Sequence, residues 1–247
     1  MIELDAVTKT RGDHVALREL SLEVAEGELL ALVGGSGSGK TTTLELVNRL
    51  LEPDSGVVRL GGRDVREREP AELRRTIGYV FQGVGLFPHL SVGRNVGITC
   101  ELLGWERSRI EARVVELLEA MALDPELAKA LPTALSGGQR QRVGVARALA
   151  AEPAVMLFDE PFGAVDPPTR DRLQQLIEER KGSFTGLFVT HDLAEALRLG
   201  DRVAVLHEGE LQQVATPDEL LANPATDAVR AFVEVGRAAA ARFGSGP

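Results

Sequence analysis

The sequence has little cysteine and few large aromatic residues: its 247 residues include one Cys, one Trp and one Tyr. A lone cysteine, Cys100, cannot form an internal disulfide, which excludes the disulfide-stapled secreted class and is typical of a reducing compartment. We expect Cys100 to be a small buried core side chain. With 44% hydrophobic residues, the chain can form one large domain or two closely joined ones.

Long apolar runs and an N-terminal targeting signal are also missing. The apolar runs at 29–33 and 154–158 are far shorter than the roughly 20 residues that a membrane-spanning helix needs. The start of the chain, Met1 to Asp5, has neither a positively charged region nor an apolar stretch. We therefore expect no transmembrane segment and no signal peptide.

An excess of positive charge is missing as well. Lys and Arg number 28 against 37 Asp and Glu, which gives a formal net charge of −9. A protein whose main partner is nucleic acid normally presents a basic surface. The composition therefore argues against a nucleic-acid partner.

What the chain does have is a glycine-rich segment, Gly34 to Thr41, that fits the pattern G-x-x-x-x-G-K-[ST] at every fixed position. It follows a short apolar run, typical of a buried parallel strand, and precedes a helical pattern over 41–51. In such a loop the glycines let backbone amides approach phosphate groups, Lys40 reaches the β- and γ-phosphates, and Thr41 ligates Mg²⁺. The alternative is a surface turn rich in Gly and Ser.

A second glycine-rich turn, Leu135 to Gln139, reads Leu-Ser-Gly-Gly-Gln and opens a helix predicted over 136–151. It is another place where backbone N–H groups can point at phosphate. Together the two segments predict chemistry built around a nucleoside triphosphate.

Two acidic residues, Asp159 and Glu160, close the apolar strand predicted over 154–158. Parallel sheets place ligand-facing groups at the carboxyl ends of their strands. An Asp at that place can hold Mg²⁺, and a neighbouring Glu can orient and deprotonate an attacking water. A solvated acidic pair at a strand end is the alternative.

Two further polar residues follow predicted strands. His191 comes after the strand over 187–190 and before a helix over 192–199, where a neutral imidazole could hydrogen-bond a γ-phosphate. Gln82 ends the strand over 77–81, where its amide could contact Mg²⁺ or the attacking water. Taken alone, either residue is more often structural.

In this order, the segments resemble those of the nucleotide-binding subunits of ATP-binding-cassette (ABC) transporters, and the resemblance covers the chain from Ile2 to about Val233. Gly34–Thr41 matches Walker A, Leu135–Gln139 the family signature, and 155–159 with Glu160 Walker B. Gln82 matches the Gln loop, and His191 the switch histidine.

The resemblance also assigns roles residue by residue. ATP binding falls to Arg11, Gly34, Gly35, Ser36, Gly37, Ser38, Gly39, Lys40, Thr41, Thr42, Ser136, Gly137, Gly138, Gln139 and Asp166, the last at the end of the D-loop. Catalysis falls to Glu160, His191 and Gln82, and Mg²⁺ binding to Thr41, Gln82 and Asp159.

The fold implied is α/β, the P-loop NTPase fold of ABC ATPases, with a mixed sheet core, an N-terminal antiparallel β subdomain and an inserted α-helical subdomain. We expect a single nucleotide-binding domain over 1–240. Its RecA-like core covers about 1–90 and 152–215, the helical subdomain about 91–151 and a C-terminal helical extension about 216–240; 241–247 form a tail. The helical subdomain agrees with a 3.6-residue apolar period at Ile110, Val114, Leu117, Leu118 and Met121.

The resemblance implies that two copies sandwich two ATP molecules, each between Walker A of one copy and Ser136–Gln139 of the other. It further implies two transmembrane permease subunits, an indirect substrate-binding protein, and a peripheral place on the cytoplasmic face of the inner membrane. Gln82–Val92 is similar to the groove for the coupling helix of a permease. Leu86 and Phe87 are either exposed anchors there or core residues of the helical subdomain.

Four segments are similar to one importer branch, which takes up osmoprotectant quaternary amines such as glycine betaine, carnitine and choline. They lie at 50–56, 85–90, 102–105 and 159–164. Several members carry a pair of C-terminal CBS domains, for which we expect this chain to be too short. With one Trp and one Tyr, we expect no aromatic cage for a quaternary ammonium here. Alternatives are the ATPase of an amino-acid, sulfonate or metal importer, a soluble ABC protein of DNA repair or translation, and a regulator that binds nucleotide without hydrolysis.

One position departs from the family pattern. Many relatives carry an aromatic residue that stacks on adenine shortly after the first strand, where this chain has Arg11. A guanidinium plane can also stack on a base. We expect adenine binding to persist with altered affinity or base selectivity.

Overall fold

The computed structural model describes residues 1–83, 85–163 and 165–244, with the side chains up to 238. Val84, within the Gln82–Val92 segment, and Ala164, within the segment 159–164, lie outside the described residues. The chain divides into two compact units. Unit 1 comprises residues 1–70 and the chain from Thr185 onward, and unit 2 comprises 71–184.

The strands and helices of the described residues are numbered in chain order. The strands are β1 Ile2–Arg11, β2 His14–Val24, β3 Leu29–Val33, β4 Ser55–Leu60, β5 Arg63–Asp64, β6 Ile77–Val80, β7 Val155–Asp159, β8 Thr185–Val189, β9 Arg202–His207 and β10 Glu210–Ala215. The α-helices are α1 Lys40–Val47, α2 Pro70–Arg75, α3 Val92–Leu102, α4 Arg107–Ala120, α5 Gly137–Leu149, α6 Pro167–Glu178, α7 Leu193–Leu199, α8 Pro217–Ala222 and α9 Asp227–Gly244. Short 3₁₀ turns cover Val65–Glu67, Pro125–Lys129 and Pro132–Ala134.

Unit 1 begins with an antiparallel sheet whose strand order is β2-β1-β4-β5. In β2, the apolar Leu20, Leu22 and Val24 are buried, and the residues between them are exposed. This alternation is the two-residue period of a strand with one face on the core. The expected N-terminal antiparallel subdomain is confirmed.

Unit 1 also contains β10, β9, β3 and β8 as neighbours in that order. β3 runs parallel to both β8 and β9, whereas β10 is antiparallel to β9, so the sheet is mixed, as expected. All five residues of β3 are buried. A strand covered on both faces reads as a continuous apolar run, which is the pattern that predicted it.

Unit 2 combines the parallel pair β6 and β7 with a group of helices, which agrees with the expected helical region. In α4, Val114, Leu117 and Leu118 are buried, which confirms the helical period in the sequence. Cys100 on α3 is fully buried, as expected, and burial raises the pKa of its thiol. Nowhere in the described part of the chain is a helix both long and apolar enough to span a bilayer.

One helix boundary differs from the sequence prediction. The helix predicted over 41–51 ends at Val47, because Arg49 adopts a left-handed conformation with φ of 54° and the Asn48 side chain accepts the N–H of Leu50. The helix α6 begins at Pro167, because Asp166 caps it and proline suits the first turn. In both helices a local side chain or backbone conformation, not apolar periodicity, sets the boundary.

Candidate functional site

In unit 1, the glycine-rich loop leaves the carboxyl end of β3 and leads directly into α1. Lys40, the first residue of α1, is only 7% exposed. Its ammonium group donates to the carbonyl oxygens of Gly34 and Gly35, both at 2.8 Å, and lies 3.4 Å from Ser38 Oγ. The loop therefore wraps around the lysine head group, as a phosphate-binding loop requires.

Glycine is required at the end of this loop by both backbone conformation and space. Gly39 has φ of 103°, and a Cβ added there would lie 2.6 Å from the carbonyl oxygen of Ala16. Its carbonyl accepts hydrogen bonds from the Thr43 amide at 2.9 Å and the Thr43 hydroxyl at 3.0 Å. The first turn of α1 is thereby fixed, with its N-terminal amides directed toward the loop. This arrangement fits a triphosphate.

The backbone at His191 in unit 1, the expected switch histidine, is held by hydrogen bonds of its neighbours. His191 is exposed between Thr190, which is buried, and Asp192, which caps α7. The Thr190 hydroxyl donates to the Glu195 carboxylate at 2.7 Å and accepts the Asp192 amide at 3.0 Å. These bonds on either side fix the backbone that presents the imidazole.

Arg11 in unit 1, which we expect to stack on the base, forms an ion pair. Arg11 lies at the end of β1, and its side chain is 46% exposed. Its guanidinium pairs with the Glu45 carboxylate on α1. The sequence did not point to Glu45, because the two residues are far apart along the chain.

In unit 2, the acidic pair follows β7, whose residues are all buried. Asp159 is 4% exposed, and Glu160 has a left-handed φ of 45°. The Gln82 amide donates to the Glu160 carboxylate at 3.1 Å. Unit 2 thus brings two of the predicted catalytic residues into contact.

The signature segment in unit 2 opens α5, as predicted. The Gln139 amide donates to the Ser136 hydroxyl at 3.2 Å, and the Ser136 amide donates to the Gln139 side chain at 2.8 Å. This reciprocal pair is a capping box, which fixes the helix N-terminus at Gly137 and Gly138. We expect the amides there to suit an anion.

Gln141, which the sequence analysis missed, connects this helix to the acidic segment. Its side chain is 2% exposed, and its amide donates to the Pro161 carbonyl at 2.7 Å. Because Pro161 follows Glu160, α5 is tied to the residue beside the catalytic candidate. A polar residue on the otherwise apolar face of a predicted helix was the available signal.

Asp166 is the N-cap of α6, and its carboxylate accepts the Thr169 amide at 3.1 Å. Hydrogen bonds from Thr169 lower the pKa of this exposed carboxyl below its usual value. The residue therefore remains ionised at neutral pH.

The proposed Mg²⁺ ligands, Thr41, Gln82 and Asp159, offer oxygen donors, which this hard cation prefers. Within the described residues no three His, Cys, Asp or Glu side chains cluster as a metal site. Asp159 is 4% exposed at the end of β7, so its oxygen donors lie at the carboxyl end of a buried strand. Thr41 in unit 1, and Gln82 and Asp159 in unit 2, therefore each carry the type of donor atom that Mg²⁺ binds.

Comparison with known proteins agrees with this geometry. The family model described as "ABC transporter" matches residues 17–163. The chain belongs to the ABC transporter family. Among solved structures, the ATP-binding cassette MJ0796, in a dimeric post-hydrolysis state bound to ADP and Pi, is similar with a TM-score of 0.82 and 33% identity. That match covers 88% of this chain and 99% of that one.

Curated members of the ABC transporter family include close relatives. The glycine betaine/carnitine/choline transport ATP-binding protein OpuCA of Bacillus subtilis is 47% identical, over 94% of this chain and 62% of its own length. The glycine betaine uptake system ATP-binding protein YehX of Escherichia coli is 47% identical, over 94% of this chain and 76% of its own length. A sulfate/thiosulfate import ATP-binding protein, CysA of Thermosynechococcus vestitus, is 43% identical over 94% of this chain and 69% of its own length. The chain thus spans about three fifths of OpuCA.

Proposed function

We propose that this chain is the subunit that binds and hydrolyses ATP to energise an ABC importer, and that the importer takes up osmoprotectant quaternary amines. The observation that carries the ATPase assignment is the buried Lys40 ammonium, held by the Gly34 and Gly35 carbonyls at the start of α1. A loop of this shape with a lysine at its centre suits the β- and γ-phosphates of a nucleotide.

The loop residues bind the triphosphate in this proposal. Backbone amides over 34–42 surround its oxygens, and Lys40 exchanges carbonyl partners for phosphate oxygens. That exchange is favourable because phosphate oxygens carry negative charge and attract the ammonium more strongly than neutral carbonyl oxygens do. Arg11 stacks on the base.

Hydrolysis falls to the residues after β6 and β7. Glu160 accepts a proton from the attacking water, and Gln82 orients the Glu160 carboxylate through its 3.1 Å hydrogen bond. His191 donates a hydrogen bond to the γ-phosphate. Thr41, Gln82 and Asp159 would hold Mg²⁺, which would supply neutralisation of the charge on the triphosphate.

A second copy of the chain completes the site. Each ATP is bound by the loop of one copy and by Ser136, Gly137, Gly138 and Gln139 of the other, with Asp166 near the junction. The capping box supports this role because it fixes the α5 N-terminus as an anion-binding end. The similar cassette MJ0796 is dimeric, which supports pairing.

Two permease subunits and, indirectly, a substrate-binding protein are the other partners, which places the chain on the cytoplasmic face of the inner membrane. We assign docking to Gln82–Val92. Phe87 in this segment is 42% exposed and Leu86 is half-buried, which favours Phe87 as the anchor. Asn95 supports the segment by accepting the Phe87 amide at 2.8 Å and donating to the Leu90 carbonyl at 3.0 Å.

The quaternary amine assignment is supported by OpuCA and YehX, whose names state glycine betaine transport. The second candidate is an importer of another solute, favoured by the 43% identity to the sulfate/thiosulfate import protein. The two candidates share the same ATPase chemistry and differ only in the solute that the partners select.

The test is ATPase activity of the chain purified with its membrane partners and binding protein and reconstituted in vesicles. We expect stimulation by glycine betaine, carnitine or choline, and none by sulfate, thiosulfate or amino acids. Stimulation by sulfate alone would replace the quaternary amine assignment and leave the ATPase assignment intact. Absence of ATP hydrolysis by the intact complex would overturn the ATPase assignment itself.

A further inference from the structure

The end of the β1–β2 hairpin in unit 1 carries an ion pair between residues that are 34 positions apart in the sequence. Arg11 ends β1, and its guanidinium pairs with Glu45 on α1. The Glu45 side chain is only 24% exposed, whereas that of Arg11 is 46% exposed. Arg11 is therefore the more exposed partner and Glu45 the more buried one.

The backbone before Arg11 is held by a second carboxylate. The Lys9 ammonium and the Thr10 amide donate to the two oxygens of Asp54, both at 2.7 Å, and the Asp54 amide donates to the Thr8 carbonyl at 2.9 Å. Glu45 thus restrains the Arg11 side chain, and Asp54 independently restrains the backbone before it. Such double restraint is the requirement for a preorganised contact surface.

This hairpin lies against the phosphate loop. β2 pairs with β1 from Arg11 and His14 onward, and Ala16 on β2 lies so close to Gly39 that a Cβ added to the glycine would be 2.6 Å from the Ala16 carbonyl oxygen. Gly39 immediately precedes Lys40. The Arg11–Glu45 pair is a second link between the same hairpin and the same helix, so the guanidinium stands at the border of the loop.

We propose that Glu45 is a positioning residue that holds Arg11 as a charged stacking platform for the base of the bound nucleotide. The inference rests on the proposed ATP-binding function. A guanidinium is planar, delocalised and weakly hydrated, so it stacks on a base. Pairing with Glu45 fixes the direction of the guanidinium plane, so that the plane stacks on the base. The pairing also neutralises the charge of Arg11, so Arg11 adds little attraction for the phosphates.

The ligand class follows from this chemistry. Every base has a π-face, and the larger purine ring gives more stacking area than a pyrimidine. The platform therefore takes purine nucleoside triphosphates, ATP and GTP alike, more tightly than CTP and UTP. The effect of the platform is measured as the difference in affinity between a nucleoside triphosphate and a triphosphate that carries no base.

The experiment measures the affinities of the intact chain for ATP and for inorganic tripolyphosphate, both with Mg²⁺, and takes their ratio. The ratio isolates the base, because a change in local charge alters both affinities together. For Glu45→Gln we expect the ratio to fall at least about threefold, and for Arg11→Lys about tenfold, since an ammonium has no plane to stack. Arg11→Tyr introduces an aromatic ring, and we expect it to tighten ATP binding. Adding Glu45→Gln to Arg11→Tyr should leave the ratio at the value of Arg11→Tyr alone.

The matched control is Glu52→Gln. Glu52 also pairs with an arginine of unit 1, Arg49, at 2.9 Å, but does not contact Arg11. We expect this variant to keep the wild-type ratio and to unfold at the same temperature as Glu45→Gln.

Two outcomes overturn the inference in distinguishable ways. If the wild type binds ATP and tripolyphosphate, and Glu45→Gln and Arg11→Lys leave the ratio at its wild-type value, the platform is refuted and ATP binding stands. If the wild type binds neither probe, the proposed function fails and the platform fails with it.

Discussion

The Gln82 side-chain amide donates a 3.1 Å hydrogen bond to the Glu160 carboxylate, and the register of two strands produces this contact. β6 and β7 are parallel, with Val80 opposite Phe158, so Gln82 and Glu160 each lie two residues further along the chain. Glu160 also has a left-handed φ of 45°. That conformation costs roughly 1–2 kcal/mol for a residue other than glycine, and such strain is typical of functional sites.

The first prediction concerns this carboxylate. Glu160→Gln should still bind ATP and should hydrolyse it at least about a hundredfold more slowly, because loss of a general base costs about 10²–10⁴ in rate. With hydrolysis blocked, an ATP-bound dimer should persist. Steady-state phosphate release and size-exclusion chromatography with ATP measure the two effects.

Glu152→Gln is the control for that experiment. Glu152 is another glutamate with a left-handed backbone, φ 51°, and its carboxylate lies 3.6 Å from Arg113 in the same unit. Its change to Gln should leave turnover within about twofold of wild type, as expected for an exposed site away from the chemistry. Equal turnover in Glu160→Gln and wild type would remove Glu160 from the mechanism.

The second prediction compares two capping boxes. Ser136 caps α5 through Gln139, and Thr216 caps α8 through Glu219 by the same reciprocal pair. Ser136→Ala and Thr216→Ala should each lower the free energy of unfolding by about 1 kcal/mol. Only Ser136→Ala should abolish the rise of specific ATPase activity with protein concentration, because in the proposed two-copy arrangement only that box contacts ATP.

Urea unfolding and ATPase assays across a dilution series test this comparison. Full turnover by a dilute, verified monomer carrying Ser136→Ala would contradict the two-copy scheme. If Thr216→Ala lost activity as well, the loss of activity in Ser136→Ala would be explained by lower stability and not by a missing ATP contact.

The sequence predicted most of the fold because its signals were local. The buried strand β3 reads as one apolar run, which is the pattern of a strand covered on both faces. The signature segment was placed at a helix start because glycines follow a serine, and α5 begins there.

The sequence could not show contacts that depend on the packing of distant segments. Arg11 was recognised as a departure from a family pattern, but its partner Glu45 lies on another element. Gln141 looks like one polar residue within a helix, and only the fold places its amide on the Pro161 carbonyl. The early end of α1 depends on a left-handed Arg49, which apolar periodicity does not encode.

The third prediction concerns Asn95, which is fully buried on α3. Its side chain accepts the Phe87 amide at 2.8 Å and donates to the carbonyls of Phe87, Leu90 and Ser91 at 3.1, 3.0 and 3.0 Å. Asn95→Ala leaves these groups without their partner, so unfolding should require about 2–4 kcal/mol less free energy. Urea denaturation measures the change.

Asn223→Ala is the comparison for Asn95→Ala. Asn223 is exposed, and the side chain of Gln213 contacts its backbone carbonyl and not its amide side chain. It should lose no more than about 0.5 kcal/mol. Similar losses in both variants would mean that the Asn95 hydrogen bonds contribute little, and that the Phe87–Ser91 segment is held by other contacts.

The fourth prediction concerns Asp54. Hydrogen bonds from the Lys9 side chain and from Thr10 lower the pKa of this carboxyl below its ordinary value of 3.8. A carboxyl with a depressed pKa in the folded state stabilises that state fully above pH 3.8, and this stabilisation is lost as the pH falls through the folded-state pKa. NMR titration of Asp54 should therefore give a pKa below 3.8, and Lys9→Met should raise it toward that value.

Asp64 supplies the internal control for that titration, because its pKa is lowered by Arg66 and not by Lys9. In Lys9→Met the Asp64 pKa should stay in place while that of Asp54 rises. If Asp54 titrates identically in wild type and Lys9→Met, the lysine does not hold this carboxylate. The backbone before Arg11 would then be restrained by the Thr10 and Asp54 amides without the lysine, and the hairpin end would be more mobile than a preorganised base platform requires.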